Sequence, residues 1–390
     1  MKRLVLTLGF ISIAFLVGCA SAGTQGAAGN TPTIAPAGAA AGSKNPVAGA
    51  QGWQQEWDRV QQAARKEGSV VIPSNIGPTV RQALSQAMKD KYGVEIEFVT
   101  GRPAEFGPKI LAERRAGLYL QDLMIGGAGT GLDTLKPAGV LDPLDPVIFL
   151  PEALDDNAWY AGKPPWIDKD HYILSFIAGP QAPVFINTGL VKKDEIKSYR
   201  DLLDPKWKGK LLLGDPTVGG SGNGFFSALA EGIMSLDFLR QLAKQEPLIS
   251  KDERLMGEWV AHGKYPVAMA ISADNTTEFI AAGAPVDAIT PVEGTYTSAS
   301  TGSVLMLKNP PHPNAAKLVA NWLLTKEGGY IFAKAFGTQS ARVDVPADFL
   351  PPSRVRQSGV KYVSTDNEEY IAKKNEYLKT AKQIFGDLMK

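Results

Sequence analysis

One cysteine, Cys19, stands in the 390 residues, and histidine occurs only at His171, His262 and His312. A single thiol rules out a disulfide within the chain. Scattered imidazoles with no His-Glu-x-x-His spacing give no transition-metal centre built on nitrogen and sulfur ligands, so no metal and no cofactor are expected. Charge of one sign is missing too: 41 basic side chains face 40 acidic ones, a formal net charge of +1. Without a broad positive field the chain has no footprint for a phosphate backbone, which sets nucleic acid aside. Enzymatic motifs are also lacking. The Gly-Gly-Ser221-Gly-Asn223 stretch fails the nucleophile-elbow pattern at its last position, and the Ser358 to Lys361 Ser-x-x-Lys match lacks companion motifs.

What is present begins at the first residues. Lys2 and Arg3 precede an uncharged apolar run from Leu4 to Val17, and Leu16-Val17-Gly18-Cys19 follows. A helix over that run spans about 21 Å at ~1.5 Å per residue, short of the ~30 Å of a hydrocarbon core, which fits a cleaved export signal. Residues 1–18 are therefore read as a lipoprotein signal peptide, with Cys19 as the lipidation site. The product is expected in the cell envelope, anchored by lipid on the extracytoplasmic side. Residues 19–52, rich in Ala, Gly, Ser, Thr and Pro, read as a flexible tether.

A folded body begins near Trp53, where Trp53, Trp57, Val60 and Ala64 share helical spacing and Gly68 supplies a stop. Short apolar runs then alternate with helical patterns. Ser69 to Ile72, Val94 to Phe98 and Asp122 to Ile125 read as strands, with helices between them. The alternation restarts after Val184 to Asn187, with strands at Lys210 to Leu213, Pro266 to Ile271 and Val286 to Ile289. Such repeats imply a parallel sheet wrapped by helices, with ligand-bearing loops at the carboxyl ends of the strands. The expected fold class is α/β, with two doubly wound lobes joined by crossing segments around a ligand cleft. Residues 53–183 form the first part of lobe 1 and 184–290 form lobe 2. Residues 291–343 return toward the first lobe, and 344–390 form a C-terminal extension packed outside.

Tyr199-Arg200-Asp201-Leu202-Leu203-Asp204-Pro205-Lys206-Trp207-Lys208-Gly209-Lys210 resembles a signature of family 1 extracellular solute-binding proteins, the ferric-iron-type branch of type II periplasmic binding proteins. Val184 to Thr188, Ala281 to Gly294 and His312 to Gly328 resemble further stretches of the same family. The resemblance spans roughly Ser69 to Val343. It implies a receptor that closes on a small ligand and delivers it to the permease and ATPase of an ABC importer. A monomer is expected, and a site rich in donors and poor in nucleophile-base pairs fits binding rather than catalysis. Iron-binding members are similar in using two adjacent tyrosines. Here no tyrosines are adjacent, and the matching stretch reads Ser272-Ala273-Asp274-Asn275-Thr276-Thr277.

The site residues are argued from their own chemistry. Ser221, Gly222 and Asn223 lie in a glycine-rich turn from a strand into a helix, where backbone N–H groups and the helix dipole make an anion cradle. Asn275 and Thr276 open a second helix, as caps and ligand contacts. Arg102, after the second strand, offers a planar fork to a carboxylate or phosphate. Ser74 and Thr130 complete the rim, and Trp166 is the one aromatic drawn from a cluster otherwise assigned to the core. The expected ligand is small and anionic. Three other readings remain at this point: an exported lipoprotein hydrolase using Ser221 and His262, ferric iron bound together with an anion, and an envelope scaffold with a degenerate cleft.

Overall fold

The computed structural model describes residues 52–389, apart from 273 and 300. The expected signal segment 1–18, Cys19 and the expected tether lie outside the described residues, save Gly52, which opens the first helix.

Two apolar cores, each made of two clusters on opposite faces of its sheet, organise the described residues. The helix Gly52–Glu67 buries Val60 and Ala64, then Gly68 turns the backbone at φ +77° into the strand Ser69–Ser74. That strand runs parallel to Glu95–Thr100, with Val70 opposite Ile96. The crossover between them is the helix Pro78–Tyr92, which buries Val80, Leu84, Met88 and Tyr92 at every fourth residue. It stops at Gly93, whose left-handed φ of 68° a side chain would resist. The strand Leu123–Gly126 pairs antiparallel with Ser303–Leu307, which returns from the far end of the chain to close this core. The helices Pro313–Leu323 and Lys326–Phe336 cover it.

The second core surrounds five strands in the spatial order Val286–Ile289, Val184–Asn187, Val267–Met269, Leu211–Gly214, Leu248–Ser250. The last three run parallel, as expected of strands joined through helices. Val184–Asn187 runs antiparallel to both its neighbours, so the sheet is mixed rather than wholly parallel. The reason lies in the chain path. This strand enters from the first lobe instead of being fed by a crossover helix, and the parallel rule has no hold on it.

Three short strands, Gly179–Pro180, Thr295–Ser298 and Tyr362–Ser364, form a separate sheet that the sequence reading did not foresee. The chain passes from one core to the other through these strands. The charged tail, expected to pack outside, is corrected here. The helix Glu368–Phe385 places Tyr370, Tyr377, Ala381 and Phe385 in the second core, with Phe385 edge-on to Phe226 at 6.3 Å. Those four residues recur on one face among lysines and glutamates, and that stripe is buried once a neighbouring apolar surface exists.

Candidate functional site

A cavity of about 560 Å³ opens between the two cores. The first core contributes the turn Gly127, Ala128 and Gly129 after the strand Leu123–Gly126. The second contributes Ser221, Asn223 and Gly224 from the first turn of the helix Ser221–Ala228. Tyr296 and Ser298 enter from the connecting sheet. Arg354, Asp366, Tyr370 and Lys374 enter from the C-terminal segment.

Two glycines in the predicted cradle have steric causes. Gly220 sits at φ 147°, ψ −162°, a region closed to residues with a side chain. A Cβ at Gly222 would lie 2.3 Å from the Asp215 carbonyl oxygen and 2.4 Å from that of Gly214, so only glycine lets the helix start so close to the strand end. Asn223 is buried. Its side-chain amide donates to the Pro216 carbonyl at 3.2 Å, and its backbone carbonyl accepts from the Ser227 hydroxyl at 2.7 Å.

Around this turn the organising group is a carboxylate. Glu253, the first residue of the helix Glu253–Ala261, accepts three hydrogen bonds on Oε2: from Ser221 Oγ at 3.3 Å, from the Ser272 backbone N–H at 2.6 Å and from Asn275 Nδ2 at 3.3 Å. Glu253 and Asn275 line a second cavity of about 660 Å³, which shares Gly220, Ser221 and Ser272 with the first.

The charged and phenolic groups of the wall respond to burial. Desolvation pushes the Asp366 carboxyl up to about 6, although the backbone N–H of Ala299, 2.5 Å from Oδ2, pulls the other way. Burial likewise pushes the Tyr370 phenol up to about 12. Tyr296 rises too, from desolvation first and then from the nearby Tyr370 and the charge of Glu253. Both phenols are therefore protonated near neutrality and can donate hydrogen bonds. Lys374 makes no ion pair among the described residues.

The nine residues singled out from the sequence are dispersed. Ser221 and Asn223 line the main cavity and Asn275 the adjoining one. Gly222 acts through spacing, and Thr276 is 1% exposed beneath the surface. Arg102 lies outside both cavities, its side chain 86% exposed and its Nε 2.7 Å from Glu105 Oε1. Ser74 is buried and accepts the Ile76 N–H, and Thr130 donates to the Pro103 carbonyl. Trp166 stacks on His171 at 4.2 Å, packed against the first core. Sequence reasoning missed Glu253, Tyr296, Arg354, Asp366, Tyr370 and Lys374. No local motif marks them: Tyr296, Arg354, Asp366, Tyr370 and Lys374 share a wall only after the C-terminal segment docks, and Glu253 meets its donors only where two helices approach.

A family model described as bacterial extracellular solute-binding protein matches residues 73–330. An uncharacterized protein of Haemophilus influenzae is 24% identical over 323 residues, covering 80% of this chain and 89% of the relative. Among solved structures, the periplasmic binding protein AfuA of Actinobacillus pleuropneumoniae, with exogenous fructose-6-phosphate bound, is similar at 21% identity and a TM-score of 0.57. The match spans 82% of this chain and 99% of AfuA. Trichodesmium IdiA (FutA), in complex with iron and citrate, is similar at 17% identity and a TM-score of 0.63, over 81% and 99% of the two chains. The ferric iron-binding protein A of Mannheimia haemolytica in an open conformation reaches a TM-score of 0.65 at 14% identity, over 83% and 99%. These likenesses establish a type II periplasmic-binding-protein fold.

Proposed function

The chain belongs to the bacterial extracellular solute-binding proteins, and we propose that it is the lipid-anchored receptor of an ABC importer, capturing a small anionic solute between its lobes. The observation that carries this reading is the cavity between the two cores, whose wall brings the cations Arg354 and Lys374 together with Asp366 and the side chains of Tyr296 and Tyr370. A cavity of this size takes a ligand of sugar-phosphate or citrate dimensions. Closure around the anion would exclude water, strengthen its contacts with the donors and present a new outer surface to a permease.

The hydrolase reading loses its geometry. Ser221 Oγ donates to Glu253 at the start of the helix Glu253–Ala261, whereas His262 follows the other end of that helix, about 13 Å away at ~1.5 Å per residue. Binding of ferric iron together with an anion keeps one specific support, since Tyr296 and Tyr370 line one cavity although 74 positions of sequence, roughly two sheet-and-helix units, part them. Their raised phenol pKa values mean that iron would have to displace both protons.

A thermal-shift screen of the full-length chain in detergent tests both readings, against organic acids, phosphate, sugar phosphates, citrate and ferric citrate. At a hundredfold excess over Kd a ligand adds about 2.7 kcal/mol, a shift of several degrees. Stabilisation by iron-free anions supports anion capture. A response to ferric citrate alone, with a visible phenolate-to-iron absorption, supports the second reading. Silence throughout overturns both.

A further inference from the structure

Glu253 lines the cavity adjoining the main one, at a corner between the first turns of two helices. Its Oε2 takes the Ser221 hydroxyl, the Ser272 N–H and the Asn275 amide, donors drawn from the starts of two different helices, Ser221–Ala228 and Asp274–Ala281. The arrangement is built into the backbone. Asp252 caps the helix of Glu253 by accepting the Leu255 N–H at 2.9 Å, which fixes where Glu253 begins. One turn further on the same face, a Cβ at Gly257 would lie 2.2 Å from the Asn275 carbonyl oxygen, so glycine brings the two helices into contact. With Gly222 doing the same against the Asp215 carbonyl, the donors converge on one carboxylate oxygen.

A second anion placed at this corner would lose these donors to Glu253 and face its charge at short range. The cations at the corner itself face other carboxylates, Arg254 pairing with Glu278 at 2.9 Å and Lys251 lying 3.9 Å from Asp215, and the cations of the main cavity are Arg354 and, on the helix Glu368–Phe385, Lys374. Tyr370 lies on the same helix, its hydroxyl buried beside Ser227. The two kinds of wall therefore ask for different chemistry from the two ends of one ligand.

We propose that Glu253 is the specificity-determining residue of the cleft: it fills the corner formed by Ser221, Ser272 and Asn275 with the protein's own negative charge, so that the ligand turns hydroxyls toward that corner and keeps its single anionic group beside Lys374. The ligand class is a hydroxylated compound with one anionic head, such as a sugar monophosphate. Bisphosphates and compact polyanions are excluded by the same carboxylate. This inference rests on the anion-capture reading.

The test is calorimetric titration of the full-length chain in detergent with fructose 6-phosphate, fructose 1,6-bisphosphate, citrate and inorganic phosphate. The unaltered protein should bind the monophosphate at least tenfold more tightly than the bisphosphate. Glu253→Gln, which keeps the shape and removes the charge, should erase that ratio by raising affinity for the bisphosphate. Asn275→Asp, which adds charge at the same corner, should widen it and serves should Glu253→Gln fail to fold. Equal binding of mono- and bisphosphate by the unaltered protein, or an unchanged ratio in the variants, overturns the inference. Binding of citrate or inorganic phosphate with neither sugar phosphate also overturns it while leaving anion capture standing. No binding of any anion removes both.

Discussion

The buried carboxylate of Asp122 holds His312 by two bonds, Oδ1 accepting the backbone N–H at 2.6 Å and Oδ2 meeting ring Nδ1 at 2.9 Å, across a separation of 190 residues. Oδ2 also accepts the Val71 N–H at 2.7 Å, so one side chain joins the strand Ser69–Ser74, the strand Leu123–Gly126 and the entry to the helix Pro313–Leu323. The first lobe is closed by residues from opposite ends of the chain, and this carboxylate is where they meet. Asp122→Ala would leave buried donors unpaired. The expected loss is about 3 kcal/mol of unfolding free energy, read by urea denaturation, with ligand preference unchanged.

Lys374 is expected to matter to the ligand and little to the fold. It lines the cavity from a helix whose buried face is formed by other residues, Tyr370, Tyr377, Ala381 and Phe385. Lys374→Ala should weaken anion binding by a factor of about 10 to 100, the range of a charge-assisted hydrogen bond worth ~1.5–3 kcal/mol. The melting temperature of the ligand-free protein should move by a degree or less.

Asp366 gives the cleft a pH dependence of defined sign. Its folded pKa of about 6 lies above the ordinary carboxyl value, because burial disfavours the anion. The folded state therefore gains from this group below the unfolded pKa and loses that gain as pH rises through about 6. Asp366→Asn should stabilise the protein at pH 7, with the advantage fading on acidification toward pH 4. Anion affinity in the unaltered protein should rise as pH falls through about 6, since a negative charge leaves the wall shared with Arg354 and Lys374. Titrations at several pH values check this, and the dependence should be flattened in Asp366→Asn.

Gly222→Ala would force a methyl group to within 2.3 Å of the Asp215 carbonyl oxygen. The helix start must then shift away from the strand end. Overpacking of this kind costs about 1–3 kcal/mol, and the displaced Ser221 should weaken ligand binding in parallel. Paired denaturation and titration measurements would show both losses, whereas a silent substitution would remove the steric account of the turn.

Cys19 carries the remaining expectation. Replacement by serine should release the protein from the membrane fraction into the soluble envelope or medium, followed by fractionation and immunoblotting, if its thiol takes the lipid.

Much of the architecture was legible because it is local. Val80, Leu84 and Met88 announce a helix by spacing alone, and the strand Val286–Ile289 was read with its observed bounds. The two-lobe α/β class followed from the order of such elements together with the resemblance around Asp201 to Lys210. The glycine-rich turn at Gly219 to Gly224 was also visible, since a strand end running into a helix start leaves a mark in a few consecutive residues.

What only the tertiary structure decided is which distant residues share a wall. Arg102 was chosen for its loop position, and it stands outside both cavities, exposed and paired with Glu105 three residues away. Lys374 and Asp366, in a tail that reads as a solvated helix, reach the cleft because Tyr370 and Phe385 find an apolar surface on the second core. The sequence by itself determined the elements and their order, since backbone geometry and hydrophobic period act over a few residues. The cleft was decided by long-range burial, in which each side chain's surroundings come from segments that its own neighbourhood in sequence does not encode.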